Sequence, residues 1–292
     1  SSMAEAGDKF RVFNFTPDFF QVYTFWAGLI GGAFLTTASH GTDQLIVQRL
    51  LAARSERDSK LALMASGVAV FLQFTFFLLV GILLYAFYNH GGSGRTFASF
   101  DEIFPTFIVE HMPHGVSGLL IAAILAAAMS NLSSALNSLS SSSIVDFYLR
   151  RHPQASERLR MRLSRLSTLV WACVLFVLAI LSRDIRVVVE VGLSIASVAY
   201  GALLGVFLLG VLTQTANQRG ASIGMFCGFV LNLYLWQEQR LWAILSPWTG
   251  FSLALPRPVP WTWYVALGAT VTFLVGYISS RLGESGGVAV RS

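Results

Sequence analysis

Long apolar blocks of about 18–25 residues, separated by short charged connections, constrain this chain more than any other feature. As helix, a block of that length crosses the ~30 Å hydrocarbon layer of a bilayer. A segment in hydrocarbon must satisfy its own backbone hydrogen bonds, which an α-helix does without help from its neighbours. A membrane barrel would instead show alternating segments of about 10 residues, and the sequence has no such pattern. Only 12% of the 292 residues are charged and 54% are hydrophobic, with a mean hydropathy of +0.63. A soluble domain of this size carries about twice that charge. The sequence therefore predicts an all-α, polytopic membrane helix bundle.

Window length places about seven membrane helices, over residues 22–40, 61–88, 116–147, 166–181, 187–212, 221–235 and 262–280. Basic residues give the orientation. Arg49, Arg54, Arg57 and Lys60 crowd the first connection, and Arg150, Arg151, Arg158, Arg160, Arg162 and Arg165 the third. The long second connection, 89–115, carries Arg95 with Asp101, Glu102 and Glu110. The positive-inside rule then makes the first and third connections cytoplasmic and puts the N-terminal segment outside. Arg219 and Arg281 fall inside by alternation, whereas Arg183 and Arg186 in the short fourth connection run against the rule. Trp261, Trp263 and Tyr264 follow Pro256, Pro258 and Pro260 and read as an interfacial aromatic belt opening the last helix.

The net charge of +5 and the pI near 9.5 reflect these loop arginines and do not indicate a nucleic-acid partner. Cys173 and Cys227 both fall inside apolar blocks and read as packing residues. The opening Ser-Ser-Met is not a natural initiator, so the sequence is expected to be part of a longer one.

The third block holds the chemistry. It reads GVSGLLIAAILAAAMSNLSSALNSLSSSSIVDFY from Gly115. Gly118, Ala122, Ala126 and Ser130 recur every four residues, a stripe that admits close helix packing. Ala127, Ser130, Asn131 and Ser134 share one helical face, and Ser130, Ser133, Ser134 and Asn137 share an overlapping one. Neutral oxygens without a carboxylate suit a weakly held monovalent cation. They equally suit helix packing, with each hydroxyl bonded back to the i−4 carbonyl.

After the first helix comes HGTDQLIVQRLLAARSERDSKLAL, in which Leu45, Ile46, Leu50 and Leu51 form an apolar stripe. That predicts a short interfacial helix, with Asp43 and Arg49 solvated or paired. His40 near the membrane boundary reads as a structural histidine. Gln73 and Glu190 lie within apolar blocks, and Glu190 sits near a helix start, where a carboxylate complements the dipole. No nucleotide loop, metal cluster or nucleophile–base set is present, so no enzyme is expected.

GTDQLIVQRLLAAR and GLLIAAILAAAMSNLSSALNS together resemble the cytoplasmic signature and the sodium-site helix of the sodium:solute symporter family. VFLLGVLTQTANQRGASIGMFCG resembles the family's Phe-Leu-Leu-Gly helix end and its Arg-x-Gly-Ala-x-x-x-Gly turn. WTWYVALGATVTFLVGYISS resembles its late helix. The resemblance implies the second half of an inverted-repeat, LeuT-like transporter fold. Residues 1–21 would be an extracellular segment, 22–214 the second five-helix repeat, 215–282 two peripheral helices and 283–292 a flexible cytoplasmic tail. The partner implied is the missing N-terminal half of the same transporter.

The resemblance also assigns residues. A principal sodium site would use the backbone carbonyl of Ala127 and the side chains of Ser130 and Asn131, where the family usually has Ser or Thr at the Asn131 position. Ser133 and Ser134, with Ser130, match the pattern of a second sodium site whose Asp comes from the first repeat. The first helix would be discontinuous, with unwinding in its small, polar second half from Gly31 to His40. Thr36 and Ser39 would face solute. Ser39 replaces an aromatic of sugar-transporting relatives, and Val70 falls near a position where some of those carry Lys. The implied activity is sodium-coupled symport, in the cell membrane, of a small polar solute of sugar, sialic acid or carboxylate type. The alternative is a symporter-like membrane module serving a sensory protein.

Overall fold

The computed structural model describes residues 13–42, 47, 50, 52–90, 97, 99–181, 188–249 and 255–285. Each apolar block becomes helix, and no strand occurs among the described residues. A π-helical turn, Ala27–Gly31, leads into α1 (Gly32–Gly41). There follow α2 (Glu56–His90), α3 (Ile103–His111) behind a 3-10 turn at Phe100–Glu102, and α4 (His114–Ser142). A π-helical stretch, Ser143–Leu149, prolongs α4. The rest of the chain forms α5 (Glu157–Leu181), α6 (Val188–Leu212), α7 (Gln218–Thr249) and, after the 3-10 turn Trp261–Trp263, α8 (Tyr264–Ser285).

Five helical runs are long and apolar enough to cross a bilayer: Glu56–Tyr88, His114–Leu149, Glu157–Ile180, Val188–Leu212 and Trp261–Leu282. They coincide with five of the seven predicted segments. The first predicted segment is helical but shorter than a full span, and the sixth lies inside the 32-residue α7. Glycines, Asn232 and Gln237 dilute the hydropathy of α7. Helix α3, in the long second connection, was not expected from span length, because it has only nine residues. The interfacial helix expected over 45–51 falls mostly outside the described residues, as does the Asp43–Arg49 pair.

The chain divides into two units, 1–73 with 189–292, and 74–188. In the first, α7 and α8 run antiparallel and interlock through glycines spaced by four. A Cβ on Gly220 would lie 2.1 Å from Ser280 Oγ, one on Gly224 2.4 Å from the Thr272 carbonyl oxygen, and one on Gly228 1.9 Å from Thr272 Oγ1. Helix α6 enters the same joint, since Cβ atoms on Gly201 and Gly205 would meet Asn232 Nδ2 at 2.5 Å and Thr272 Cβ at 2.4 Å. Small residues allow this approach, and dispersion between near-touching backbones holds it without help from water. The run from Arg219 to Gly228, which resembles a family turn, is thus helix; the turn itself comes before it, at 213–217.

Polar side chains complete the joint. Asn217 caps α7, its Oδ1 accepting from the Gly220 N–H at 2.8 Å, while its Nδ2 donates to the Ser280 carbonyl at 3.0 Å. The fully buried Asn232 donates to the carbonyls of Ser197 and Val198 at 3.4 and 3.3 Å. Ala38 of α1 packs with Leu204, Val265 and Ala269, so α1 rests on α6 and α8.

In the second unit α4 and α5 form a helical hairpin. Ser140, 3% exposed, donates to the Ser164 carbonyl at 2.8 Å, and Trp171 Nε1 donates to Ser143 Oγ at 2.9 Å. Phe87, Tyr88, Phe107 and His111 meet edge-on or stacked. The most apolar stretches of α4 and α5 have no buried residue within the chain. Apolar helix surface left uncovered in this way demands lipid or further protein against it.

Candidate functional site

All five predicted sodium-site residues lie on α4, in the second unit. Ala127, Ser130, Asn131 and Ser134 share an arc of roughly 100° at 3.6 residues per turn, and Ser133 lies beside it next to Ser130. The five residues are exposed, and the apolar Met129 and Leu132 fall on the other side of the helix. The serine-rich helix therefore splits in two. Ser140 and Ser143 behave as packing serines, one bonded to α5 and the other to the Leu139 carbonyl four residues back at 2.8 Å. Ser130, Ser133 and Ser134 show no such bond among the described residues. Their lone pairs are available to an outside group. No three His, Cys, Asp or Glu side chains gather as a metal site among the described residues.

Thr36 and Ser39 lie on α1, in the first unit, and so do not belong to the same unit as the α4 face. Thr36 is exposed and Ser39 half-buried. Ser39 Oγ donates to the Thr36 carbonyl at 3.1 Å and lies 2.9 Å from His40 Nδ1, which is itself 3.1 Å from that carbonyl. His40 is thereby tied into the last turn of its own helix. The unwinding expected between Gly31 and His40 is not seen; the irregularity of this helix is a π-helical turn ahead of that stretch. The chain widens into a π-helical turn at Ala27–Gly31, whereas Gly32–Gly41, including Thr36 and Ser39, is regular α-helix. Gly31 shows why, since a Cβ there would sit 2.1 Å from the Thr262 carbonyl oxygen. The backbone of the turn is pressed against the entrance to α8. The Gly32 N–H is shared among the carbonyls of Ala27, Gly28 and Leu29, the loose bonding expected of a π turn.

Beside this turn lies a cleft of about 580 Å³, lined by Asn14, Tyr23, Thr24, Ala27, Gly31, Leu35, Trp261 and Thr262 among others. Thr36 and Ser39 are not in its lining. The Thr24 hydroxyl accepts from the Ala27 N–H at 3.1 Å and starts the helix. Tyr23 Oη donates to the carboxylate of Glu190. Glu190 was legible as a helix-start carboxylate in the first turn of α6, but its partner lies 167 residues away and no local pattern announces it. Gln73 and Val70 are exposed on α2.

The family model for the sodium:solute symporter family matches residues 6–228, a stretch that contains Thr36, Ser39 and the five α4 residues. Sodium-coupled monocarboxylate transporter 1 of Mus musculus is 28% identical over 258 residues, covering 87% of this chain and 40% of the relative. The sodium-dependent multivitamin transporter of Oryctolagus cuniculus is 26% identical, covering 91% of this chain and 47% of the relative. The sodium/iodide cotransporter of Homo sapiens is 28% identical over 241 residues, covering 80% and 37%. The chain spans less than half the length of each of these relatives. With a model match over most of its length, the chain belongs to the sodium:solute symporter family.

Proposed function

We propose that this chain is the second half of a sodium-driven symporter and moves a small polar solute by alternating access, together with a first repeat. In this reading residues 22–214 are the second repeat, 215–282 two peripheral helices, 1–21 an outer segment and 283–292 a cytoplasmic tail. The observation that carries it is the uncovered polar face of α4, inside the family-matched stretch, where Ala127, Ser130 and Asn131 stand together. Backbone, hydroxyl and amide oxygens without a formal charge bind sodium weakly enough to release it, which a transported ion requires. Sodium is thus cargo and driving ion, not a resident cofactor. Ser133 and Ser134 would hold a second sodium with a carboxylate from the first repeat.

Thr36 and Ser39 would face the solute. Two of the relatives are named for monocarboxylates and for iodide, both small monovalent anions. A small anion is therefore the first solute class to test, ahead of sugars and sialic acids. Co-transported sodium would offset its charge on a low-dielectric path. Coupling arises when sodium and solute each bind one conformation better than the other. The relatives are named as transporters, which favours this reading over a sensory module.

The test is uptake of labelled monocarboxylates, iodide, sugars and sialic acid by the transporter carrying this chain, with and without a sodium gradient. Uptake that ignores sodium and follows a proton gradient would remove the sodium assignment. Ser130→Ala should raise the half-maximal sodium concentration at least threefold, and an unchanged value would take Ser130 out of the site.

A further inference from the structure

Residues 13–24, the end of the outer segment and the start of the first helix, have no stated task in the transport reading, yet side chains fasten them at three points. Asp18 pairs with Arg257 at 3.3 Å, and Phe19 stacks on Trp263 with ring centroids 4.7 Å apart. Both of these fix the segment to the run that enters α8. The third contact is different in kind. Tyr23 Oη donates to Glu190, in the first turn of α6, from a position just before the helix that contains the π turn. Between this anchor and the next, where Gly31 presses on Thr262, lies the loosely bonded turn itself. Beyond Gly31 the helix is fixed again, through Ala38, to Leu204 and Val265. From the fully buried Ala27 inward this stretch is held by packing, whereas its outer end is held by the Tyr23–Glu190 hydrogen bond.

We propose that Tyr23 and Glu190 are a positioning pair for transport. Their hydrogen bond holds the outer end of the solute-facing helix against α6, and its release lets that end move and open the way to the solute. The inference rests on the reading of the chain as a symporter half with residues 1–21 outside and Tyr23 at the outer end of the first helix. A phenol donating to a carboxylate forms a charge-assisted bond, stronger than a neutral one. Tyr23 is 64% exposed, so water competes for both partners and the bond is reversible. A gate needs that combination, because a buried bond would be too costly to open. Leu29, 55% exposed within the π turn, reports on the movement.

The experiment uses the intact transporter in cells, with other cysteines replaced and Leu29→Cys added. The rate at which a membrane-impermeant thiol reagent labels the Leu29→Cys thiol from outside is measured, together with the half-maximal sodium concentration for uptake. Tyr23→Phe and Glu190→Ala should each change the labelling rate by about three- to tenfold, the span expected for one charge-assisted hydrogen bond at an exposed site. The sodium requirement should shift alongside. The double variant should do no more than either single one, and Glu190→Gln, which keeps an acceptor, should change less than Glu190→Ala. Arg257→Ala, which cuts another tether of the same segment, should leave both readouts within twofold. An unchanged labelling rate, additive effects, or an equal change from Arg257→Ala would overturn the proposal. Tyr23→Phe keeps the ring, so a folding defect in Glu190→Ala leaves a decisive variant. Labelling needs no transport, so uptake that proves independent of sodium would remove the sodium assignment, while the labelling rates still decide this proposal.

Discussion

Gly228→Ala puts one methyl group into the tightest part of the α6–α7–α8 joint. The new carbon would lie 1.9 Å from Thr272 Oγ1, 2.8 Å from the Gly268 carbonyl oxygen and 3.1 Å from Thr272 Cβ. Thr272 Oγ1 has no hydrogen bond among the described residues, so turning the hydroxyl aside breaks nothing. The Gly268 carbonyl belongs to the backbone of α8 and cannot turn aside. Thr272 is also hemmed in from its other side, where a Cβ on Gly205 would fall 2.4 Å from its own Cβ. The helices must therefore part by some tenths of an ångström. Overpacking of this kind costs about 1–3 kcal/mol.

Alanine also gains up to about 1 kcal/mol of helix propensity over glycine, so the reference is a glycine with room. Gly81→Ala, inside α2 with nothing within 4 Å, gains the propensity alone. The difference between the two variants isolates the contact. At about 2–4 °C per kcal/mol for a chain of this size, Gly228→Ala should melt roughly 2–12 °C below Gly81→Ala. The assay is the loss of monodisperse protein with temperature in detergent. Equal melting temperatures would refute the close approach of α7 and α8.

Two further expectations concern partly buried hydrogen bonds. Ser140→Ala removes the bond to the Ser164 carbonyl across the α4–α5 hairpin and should cost about 1 kcal/mol, read as a lower melting temperature; Ser134→Ala, on an exposed serine, should leave it unchanged. Asn217→Ala loses both the cap on α7 and the bond to Ser280, at about 1–2 kcal/mol. Asn217→Asp keeps the cap acceptor and loses only the donor, so it should recover about half of that loss in the same assay.

Helix type and approximate helix length were legible because they depend on local properties. Twenty apolar residues in a row can satisfy their backbone in hydrocarbon in one way only, and α2, α4, α5 and α6 follow. Polar residues on one face of α4 were legible for the same reason, since 3.6-residue periodicity fixes which side chains share a side. The small-residue stripe was legible as a surface, but its partner was not. Along Gly118, Ala122 and Ala126 the structure shows exposed residues, while the tight joint lies at Gly220, Gly224 and Gly228, in a run that resembles a turn.

From sequence alone, then, come the membrane class, the helices, the family motifs and the face that carries Ser130. The tertiary structure decided which small residues touch, which serines are used up in packing and which distant groups meet. It left Ser130, Ser133 and Ser134 open while assigning Ser140 to α5, put regular helix around Thr36 and a π-helical turn at Ala27–Gly31, and joined Tyr23 to Glu190. The physical reason is that lipid is as apolar as a leucine. Hydrophobicity therefore tells whether a helix enters the membrane but not which of its faces meets protein, and that choice is made by shape and hydrogen bonding between residues far apart in the chain.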